Sequence, residues 1–398
     1  MSTDKESLYQ QRLKRYTTAL HNGKPDCVPI RPFIAEFVAR YTGYTCQQVT
    51  QDFNLAFDAT VKTCADFDWD AAVANMVYVW GGIAQAVGLR YYAIPGVGLS
   101  PNTGFQYLEP PENQSWMQPD EYDQLIADPT AFLYNTWLPR VSTQVVKAGE
   151  PSTYQSNLAL VKGGMALMSY FGSFPAQVQR MRVDAGMPSA IAGILKSPFD
   201  IIADKFRGYI GLTEDVFERP AQVKKAAEAL MPHMLHVALT SSDPTGCVPI
   251  GFWMHRGCVP LISPETFDTI YWPTLKPIIL ELHKQGRQVL FYAEGKWKYH
   301  LKTFCELPEG SIVFHCDRDD IVEVHRTLHH KFAISGGIGN ALLAYGKPQE
   351  VRDRVKKVIQ EVGRDGGFIL DASAIIQNDA TVENMKAMTQ AAREFGQY

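Results

Sequence analysis

The sequence predicts an α/β fold of the (β/α)-barrel type, and the segment Gln288–Gln377 carries the main signal. Short apolar runs alternate there with helical stretches, and each run ends in a polar or glycine residue, which is typical of buried parallel strands. The runs are Gln288–Gly295, Ser311–Asp317, Phe332–Gly337 and Gly367–Ser373. In such barrels the catalytic groups lie at the C-terminal ends of the strands. The pattern therefore predicts both a fold and the position of its site.

Length and composition favour one large globular unit. The chain has 398 residues, of which 46% are hydrophobic and 20% are charged, as expected for an enzyme with a sizeable core. Barrels of this class often exceed 250 residues as a single unit, and no internal repeat or linker interrupts the chain. We therefore expect a single domain over residues 1–398.

Charge and cysteine usage indicate the compartment and give no sign of a nucleic-acid or membrane partner. A formal net charge of -4 gives no indication of a nucleic-acid or anionic-membrane partner. The seven cysteines include no C-x-x-C pair, which favours reduced thiols and a cytoplasmic location; they are Cys27, Cys46, Cys64, Cys247, Cys258, Cys305 and Cys316. The charged N-terminus lacks an apolar signal core, and no run of 18 apolar residues is available to cross a membrane. We expect a soluble protein.

The first half of the chain predicts a helical extension, two strands and an insertion. Within the extension, residues 1–25, a helix over Glu6–His21 is ended by Asn22-Gly23. Cys27–Ile34 is the first predicted strand and Asp70–Asn75 the second. Residues 95–120 are rich in proline, glycine and aromatic side chains, so we predict a lid or insertion there. Residues 151–188 are predicted to be irregular.

Helix signals are clearer in the second half. The stretch Pro220–Met231 is amphipathic, and Pro232 is expected to end or kink that helix. Ser263-Pro264 has the features of a helix start, with serine as the cap and proline at the first helical position. Two more helices are predicted over Glu350–Val362, where Gly363 is the stop signal, and from Thr381 to about Glu394.

Glu294 is the first candidate for chemistry, because it follows the strand over Gln288–Gly295. Tyr292 should point the same way, since side chains in a strand alternate with a period of two. The carboxyl group could bind a metal or protonate an oxygen, and the tyrosine could donate a hydrogen bond. The alternatives are an ordinary ion pair of Glu294 with Lys296 and a core position for Tyr292.

Five further residues lie at predicted strand ends or turns. His255 follows the strand candidate Pro249–Met254 and is predicted as a ligand or acid, or as an exposed loop histidine. His315 and Asp317 are predicted to bind substrate, or to serve packing alone. Asp371 is predicted to orient Glu294 or a water. Gly337 would allow substrate to approach the backbone closely, unless its turn is simply a tight strand-to-helix connection.

Three C-terminal patches resemble the uroporphyrinogen decarboxylase superfamily, which also contains corrinoid-dependent methyltransferases. The patches are Leu261–Glu265, Ser335–Gly339 with residues 345–351, and Gly366–Gln377 with Glu383-Asn384. The resemblance covers the last two-fifths of the chain well and is thinner upstream, where Ser197-Pro198-Phe199 is one of the matching patches. It implies a (β/α)8 barrel of the uroporphyrinogen-decarboxylase-like type with its cleft at the C-terminal ends of the strands.

Departures from the family pattern exclude its decarboxylase branch. The decarboxylases hold their ring substrate with two arginines and an aspartate, and they carry a histidine near the C-terminus. Here Glu36 stands at the first arginine position, while Arg40 is retained as a candidate for substrate binding. The aspartate position falls near Tyr78–Val79, and Ala374 replaces the histidine. The groups required to decarboxylate a porphyrinogen are therefore missing.

The resemblance instead implies the methyltransferase component of a corrinoid-dependent O-demethylase. Thiol-activating relatives use a His-x-Cys pair, and Tyr292-Ala293-Glu294 occupies that position. This branch moves a methyl group from an aryl methyl ether to cob(I)alamin on a partner corrinoid protein. Alternatives are a lyase of the same fold acting on another substrate and a non-catalytic corrin- or tetrapyrrole-binding protein. A homodimer is left open.

The resemblance also implies a zinc site. The O-demethylase group has a Glu-x14-Glu-x20-His pattern, which Glu294, Glu309 and His330 match in spacing. The predicted strands place Glu294 at one rim of the barrel and the other two residues at the opposite rim. A five-residue strand spans roughly 17 Å, which is too far for ligands of one ion. Whether these three residues bind one zinc ion is therefore left open.

Overall fold

The computed structural model describes residues 3–76, 80–110 and 114–398. Within these ranges it has nine strands, which are β1 (Tyr92–Pro95), β2 (Gly98–Leu99), β3 (Gln106–Tyr107), β4 (Ile194–Leu195), β5 (Ile250–Met254), β6 (Val289–Ala293), β7 (Ile312–Cys316), β8 (Ala333–Ile338) and β9 (Phe368–Ala372). Strands β4 to β9 form a six-stranded sheet in sequence order, and every neighbouring pair is parallel.

Backbone contacts of two further segments close this sheet into a ring. Ile30 pairs in parallel with Leu370 of β9, and the N–H of Asp70 donates to the carbonyl of Ile30 at 2.8 Å. Ala72 in turn pairs in parallel with Ser189, just before β4. Six strands and the segments around Ile30 and Ala72 therefore form a ring of eight, as a (β/α)8 barrel requires.

Helices surround this ring, and many begin just after a strand. Their bounds are α1 (Thr3–Leu20), α2 (Phe37–Thr42), α3 (Cys46–Gln51), α4 (Phe53–Asp66), α5 (Trp80–Val87), α6 (Tyr122–Ala127), α7 (Pro129–Phe132), α8 (Leu138–Val141), α9 (Tyr154–Gly172), α10 (Phe174–Arg180), α11 (Pro198–Ile201), α12 (Gly208–Glu218), α13 (Pro220–Ser241), α14 (Pro264–Thr266), α15 (Trp272–Lys284), α16 (Leu301–Phe304), α17 (Ile321–Leu328), α18 (Asn340–Tyr345), α19 (Pro348–Val358) and α20 (Val382–Phe395). Wider π-helical turns extend several of them, including residues 202–207 after α11 and 359–363 after α19.

The predicted strands of the C-terminal half are confirmed, because each apolar run forms a fully buried strand. One prediction of irregular structure was wrong, and one helix does not end where a proline had been expected to end or kink it. Residues 151–188 are not irregular: they contain α9 and α10, whose exposed apolar residues concealed the helical periodicity. The helix that starts at Pro220 passes through Pro232 and continues to Ser241. The cap at Ser263 is confirmed by its side chain, which accepts a hydrogen bond from the N–H of Thr266.

The segment at residues 88–110 forms a small three-stranded sheet of β1, β2 and β3. Together with Trp116, Trp137, Leu138 and Val141, this sheet forms an apolar cluster separate from the barrel core. The predicted insertion over residues 95–120 therefore has its own packing, apart from residues 111–113, which lie outside the described ranges. No helix in the described ranges combines the length and hydropathy needed to cross a bilayer.

Candidate active site at the barrel mouth

Glu294 lies at the C-terminal rim of the barrel, directly after β6. Its backbone N–H donates to the carbonyl of Met254 at 2.9 Å, which fixes the chain between β5 and β6. Burial raises the pKa of its carboxyl group, and the positive charges of His255 and Lys196 oppose that rise. Among the described residues, none forms a hydrogen bond or an ion pair with this carboxylate, so the expected alternative of a pair with Lys296 is not observed. The group is available to a ligand.

His255 follows β5 and lies in a group of charged side chains beside this carboxyl group. Its Nε2 atom is 2.8 Å from Oδ2 of Asp204 and 3.4 Å from Nζ of Lys196. Lys196 follows β4 and forms an ion pair with Asp204, and Arg256 Nε donates to the same carboxylate at 2.8 Å. Although burial raises the pKa of Asp204, Lys196 and His255 hold it well below its usual range. Asp204 is therefore an anion that holds Lys196, His255 and Arg256 in place.

Asp200 fixes the loop that carries His255. Its Oδ1 atom accepts hydrogen bonds from the backbone N–H groups of His255 and Arg256, at 3.0 and 2.8 Å. Its Oδ2 atom accepts from the hydroxyl of Tyr271 at 2.8 Å, and Ser197 caps the helix on which Asp200 lies. Asp200 is fully buried. A buried carboxylate with this many donors holds the loop in one conformation.

The insertion reaches the same group of side chains. Glu109 accepts a hydrogen bond from Arg256 at 2.9 Å, and the Tyr107 hydroxyl donates to the backbone carbonyl of Asp204 at 2.6 Å. Next to Asp204 along the chain, the ammonium of Lys205 lies 4.4 Å from the ring centre of Tyr91 and 4.9 Å from that of Tyr92. Burial lowers the pKa of Lys205 to about 8. The insertion is thus attached to the helix that carries Asp204 through charge and cation–π contacts.

The barrel interior holds a second polar group. Arg31 forms an ion pair of 2.9 Å with Asp371, and both side chains are fully buried. Arg31 also donates to the hydroxyl of Ser335 at 3.0 Å and contacts Nδ1 of His315 at 3.3 Å. The Nε2 atom of His315 lies 3.1 Å from the carbonyl oxygen of Ser373. Because a carbonyl only accepts, Nε2 carries the hydrogen and Nδ1 is the acceptor.

This interior group consists of an ion pair and a neutral imidazole. Burial, together with the charge of Arg31, lowers the pKa of His315 well below its usual range. The Tyr292 ring stacks on the His315 ring with centroids 3.9 Å apart and on Trp253 at 5.0 Å. Within the described ranges, the hydroxyl of Tyr292 has no hydrogen-bond partner. Tyr292 is therefore a core residue, as the alternative prediction had it. Its hydroxyl group nevertheless has no partner in the described ranges and is free to donate a hydrogen bond.

The structure places Asp371 away from Glu294, but Asp317 close to it. The carboxylate of Asp371 contacts Arg31 and the backbone N–H of Phe33, so the prediction that it orients Glu294 was wrong. Asp317 lies at the rim and accepts a hydrogen bond of 2.9 Å from the N–H of Gly295. That contact places it beside the loop after Glu294, where it can shape the mouth.

The three residues with the zinc-like spacing do not form one site. Glu294 follows β6, whereas Glu309 precedes β7 and His330 precedes β8, so the last two lie at the opposite rim and are exposed. A parallel barrel separates its two rims by the length of its strands. In the described part of the chain, no group of three or more His, Cys, Asp or Glu side chains is placed to hold a metal ion. The structure therefore contradicts joint ligation of one ion by these three residues, which the sequence had left open.

Two predicted substrate-binding residues have other roles. The guanidinium of Arg40 donates to the backbone carbonyls of Asn378 and Asp379, so it anchors the loop after β9. Gly337 has φ +108°, and a Cβ atom there would lie 2.9 Å from Val358 and 3.2 Å from Ile321. Those side chains belong to the outer helices, so the glycine permits strand–helix packing. Gly337 lies within strand β8, so the tight strand-to-helix turn is not observed.

At the family's first arginine position, Glu36 is buried under the insertion. A Cβ atom on Gly104 would lie 3.0 Å from the carboxylate carbon of Glu36, so a larger residue there would press on that carboxylate. Burial raises the pKa of Glu36 to about 7, although the backbone N–H of Phe105 opposes the rise. The aspartate position near Tyr78–Val79 lies outside the described residues.

Sequence reasoning missed Lys196, Asp200, Asp204 and Arg31. The first three belong to the segment that leaves β4, and the motif Ser197-Pro198-Phe199-Asp200 was visible as a helix start with an acidic first turn. Strand β4 has only two residues, so no apolar run drew attention to its end. Arg31 lies between two proline residues inside a predicted strand, and no sequence pattern indicates that it pairs with Asp371.

Comparisons with known proteins identify the family of this chain. The family model for uroporphyrinogen decarboxylase matches residues 172–395, which is more than half of the chain. No curated protein matches the chain in sequence. A solved structure described as a methyltransferase from Methanosarcina mazei has the same fold, with a TM-score of 0.65 and 12% identity over 96% of this chain and 98% of that chain. At that identity the likeness shows the fold alone. On the family match, the chain belongs to the uroporphyrinogen decarboxylase family.

Proposed function

We propose that this protein is the methyltransferase component of a corrinoid-dependent O-demethylase. It would move the methyl group of an aryl methyl ether to cob(I)alamin carried by a partner corrinoid protein. The family contains enzymes, and the fold is shared with a methyltransferase from Methanosarcina mazei. The barrel mouth is where the proposed ether would bind and where the partner protein would dock.

The observation that carries the proposal is the state of Glu294. It lies at the rim where barrels hold their chemistry, its pKa is raised by burial, and no described residue pairs with it. A carboxyl group with a raised pKa keeps its proton at a higher pH than an exposed one, so it is suited to general-acid catalysis. The departing phenoxide has a conjugate acid with a pKa near 10, and it needs that proton.

The proposed step is balanced in atoms and electrons. The bond between the methyl carbon and the ether oxygen breaks, the oxygen keeps the electron pair, and Glu294 gives it a proton so that a neutral phenol leaves. The corrinoid partner supplies the reduced cobalt that accepts the methyl group. His255 and Lys196 then lie beside the newly formed carboxylate and stabilise its negative charge. Asp204 and Asp200 position His255 for this role.

No part of this step is assigned to zinc. The donor set that the family spacing implied is divided between the two rims of the barrel, so the residues present do not fit a shared ion. Proton donation by Glu294 can stabilise the leaving group instead of a Lewis acid. The segment over residues 95–120 is proposed to be the lid, because Glu109 and Tyr107 contact the residues around His255.

A demethylation assay tests the proposal. Purified protein would be incubated with a panel of methoxyarenes and a reduced corrinoid protein, and the released phenol would be measured. We expect phenol from at least one arene, and only when the reduced corrinoid protein is present. Release of CO2 from an acidic substrate without any corrinoid would instead identify a lyase. Tight binding of a corrin without turnover of any substrate would identify a binding protein.

A further inference from the structure

Two histidines lie one helical turn apart at the end of α17 (Ile321–Leu328). His325 is in the last turn of this helix, and the backbone N–H of His329 donates to the carbonyl of His325 at 2.9 Å, so the helical turn continues to His329. Residues four apart lie on the same face of a helix. The two imidazole rings stack with their centroids 4.5 Å apart and their planes 19° apart. They are therefore held side by side on one face.

The hydrogen bond of His329 leaves its second ring nitrogen with a lone pair. Its Nδ1 atom lies 2.7 Å from the carbonyl oxygen of His325. Because a carbonyl only accepts, Nδ1 carries the hydrogen and Nε2 is the acceptor. Histidines that bind metals have this arrangement, in which the other ring nitrogen donates to a carbonyl or a carboxylate. The Nε2 atom of His329 is therefore in the form that a metal ion requires.

The Nε2 atom of His325 is buried without a partner. His325 is only 8% exposed, and within the described ranges its Nε2 atom has no hydrogen-bond partner. Buried polar atoms in native proteins are rarely left in this state, so an atom of this kind points to a group that it binds. The free nitrogen lies on the same helix face as His329, where one ion could reach both rings.

The charges around the two rings favour a cation. Burial lowers the pKa of His325 and the neighbouring His329 lowers it further, while the negative charge of Asp365 opposes the drop. His325 is therefore neutral at neutral pH, which is the form of histidine that binds metals. The C-terminal end of a helix also carries a partial negative charge, which attracts cations. Asp365 adds a full negative charge nearby.

We propose that His325 and His329 bind a divalent transition-metal ion of the class that prefers imidazole ligands, such as zinc, nickel or copper. Two histidines four residues apart on one helix are an established ligand spacing for zinc. Within the described ranges, no third His, Cys, Asp or Glu side chain is placed to complete a larger group, so water fills the remaining positions. Helix α17 follows β7 and returns to the opposite rim from Glu294. The site is therefore separate from the barrel mouth, and the proposal does not depend on the reaction.

Calorimetric titration of the full-length protein with Ni²⁺, after treatment with a chelator, tests the site. The wild-type protein is expected to bind the ion. His329→Gln is expected to weaken binding by on the order of 100-fold, because the second ligand of a chelate binds intramolecularly. His329 is partly exposed, so this change should leave the fold intact. His330→Gln is the matched control: it alters an exposed histidine whose ring is 6.2 Å from that of His329 and turned by 84°, and it should not change binding.

Electron paramagnetic resonance with Cu²⁺ gives a second readout, which a purely structural role of the rings would not produce. The spectrum of the wild-type protein should show coupling to two imidazole nitrogens, and that of His325→Gln should show coupling to one. A wild-type protein that binds no ion in the titration would overturn the proposal. So would a His329→Gln protein that binds Ni²⁺ as tightly as the wild type, or a His330→Gln protein that loses as much affinity as His329→Gln.

Discussion

The Nε2 atom of His255 lies 2.8 Å from Oδ2 of Asp204 and 3.1 Å from Oδ1, so one carboxylate holds the imidazole ring in place. The two residues leave different elements of the barrel, and Lys196 joins them from a third position at the same rim. This contact connects the loops after β4 and β5 beside Glu294. The geometry of the mouth therefore depends on the negative charge of Asp204.

Asp204→Asn should lower methyl transfer by about 100-fold, because displacement of a group near the reacting atoms has effects of that size. The loss should lie in kcat more than in KM, because the imidazole ring of His255 would be misplaced while the substrate pocket keeps its shape. Steady-state kinetics of the phenol-forming reaction measure it. Glu109→Gln is the control, because Glu109 also contacts Arg256 but not His255. Equal losses in both variants would contradict the role given to Asp204.

The pH profile of the reaction should show the protonation of Glu294. Burial raises the pKa of this carboxyl group, and an acid catalyst works only while it holds its proton. The value of kcat should therefore fall as pH rises through that raised pKa and stay level below it. In Glu294→Gln this limb should be absent from the remaining activity. A wild-type profile that instead rises with pH over the same range would show that the group acts as a base.

Stability should depend on pH through Glu36. Its pKa of about 7 in the folded chain lies above the ordinary value of 4.5, so the folded state holds the proton over a window where the unfolded state has lost it. The free energy of unfolding therefore falls as pH rises from 4.5 to 7. One pKa unit corresponds to 1.36 kcal/mol, so the loss is on the order of 3 kcal/mol.

Glu36→Gln should remove that fall, which makes the variant more stable than the wild type above pH 7 and similar to it below pH 4.5. Denaturant unfolding at a series of pH values measures the difference. Glu228→Gln, at an exposed position on α13, should follow the wild-type curve. Curves of wild type and Glu36→Gln that stay parallel across the whole range would refute the burial argument.

Arg31 and Asp371 should behave as a coupled pair in the barrel core. Each single change, Arg31→Met or Asp371→Leu, leaves a buried charge without a partner and should cost about 3–5 kcal/mol of unfolding free energy. The double variant should cost much less than the sum of the two, because neither charge remains. A double-mutant cycle from chemical denaturation measures the coupling. Additive losses would mean that the 2.9 Å contact contributes little.

The sequence predicted the barrel because the strands of its C-terminal half are continuous apolar runs. Such runs are typical of strands in a buried parallel sheet. The strands around Ile30 and Ala72 pair through single bridges, so their signals were weak. Helix α9 was missed for a physical reason. Its exposed face is apolar, whereas the expected pattern for a surface helix is polar outside, and its two adjacent glycines suggested a loop.

At the site, the sequence predicted the residues that directly follow long strands, and Glu294 and His255 do lie together at the mouth. It could not predict which partners hold them. Lys196 and Asp204 are eight residues apart along the chain and meet only because the chain turns into a helix after β4. The zinc-like spacing failed because spacing along the chain does not record which rim of the barrel a residue occupies.

The most direct measurement is a single-turnover reaction with Glu294→Gln. Wild-type protein, a methoxyarene that it accepts and one equivalent of reduced corrinoid protein are mixed, and the loss of cob(I)alamin absorbance is followed together with phenol release. We predict rapid loss for the wild type, a rate lower by about 10²- to 10⁴-fold for Glu294→Gln, and no change for Lys296→Gln. A Glu294→Gln protein that folds and transfers methyl at the wild-type rate would contradict the assignment of Glu294 as the proton donor.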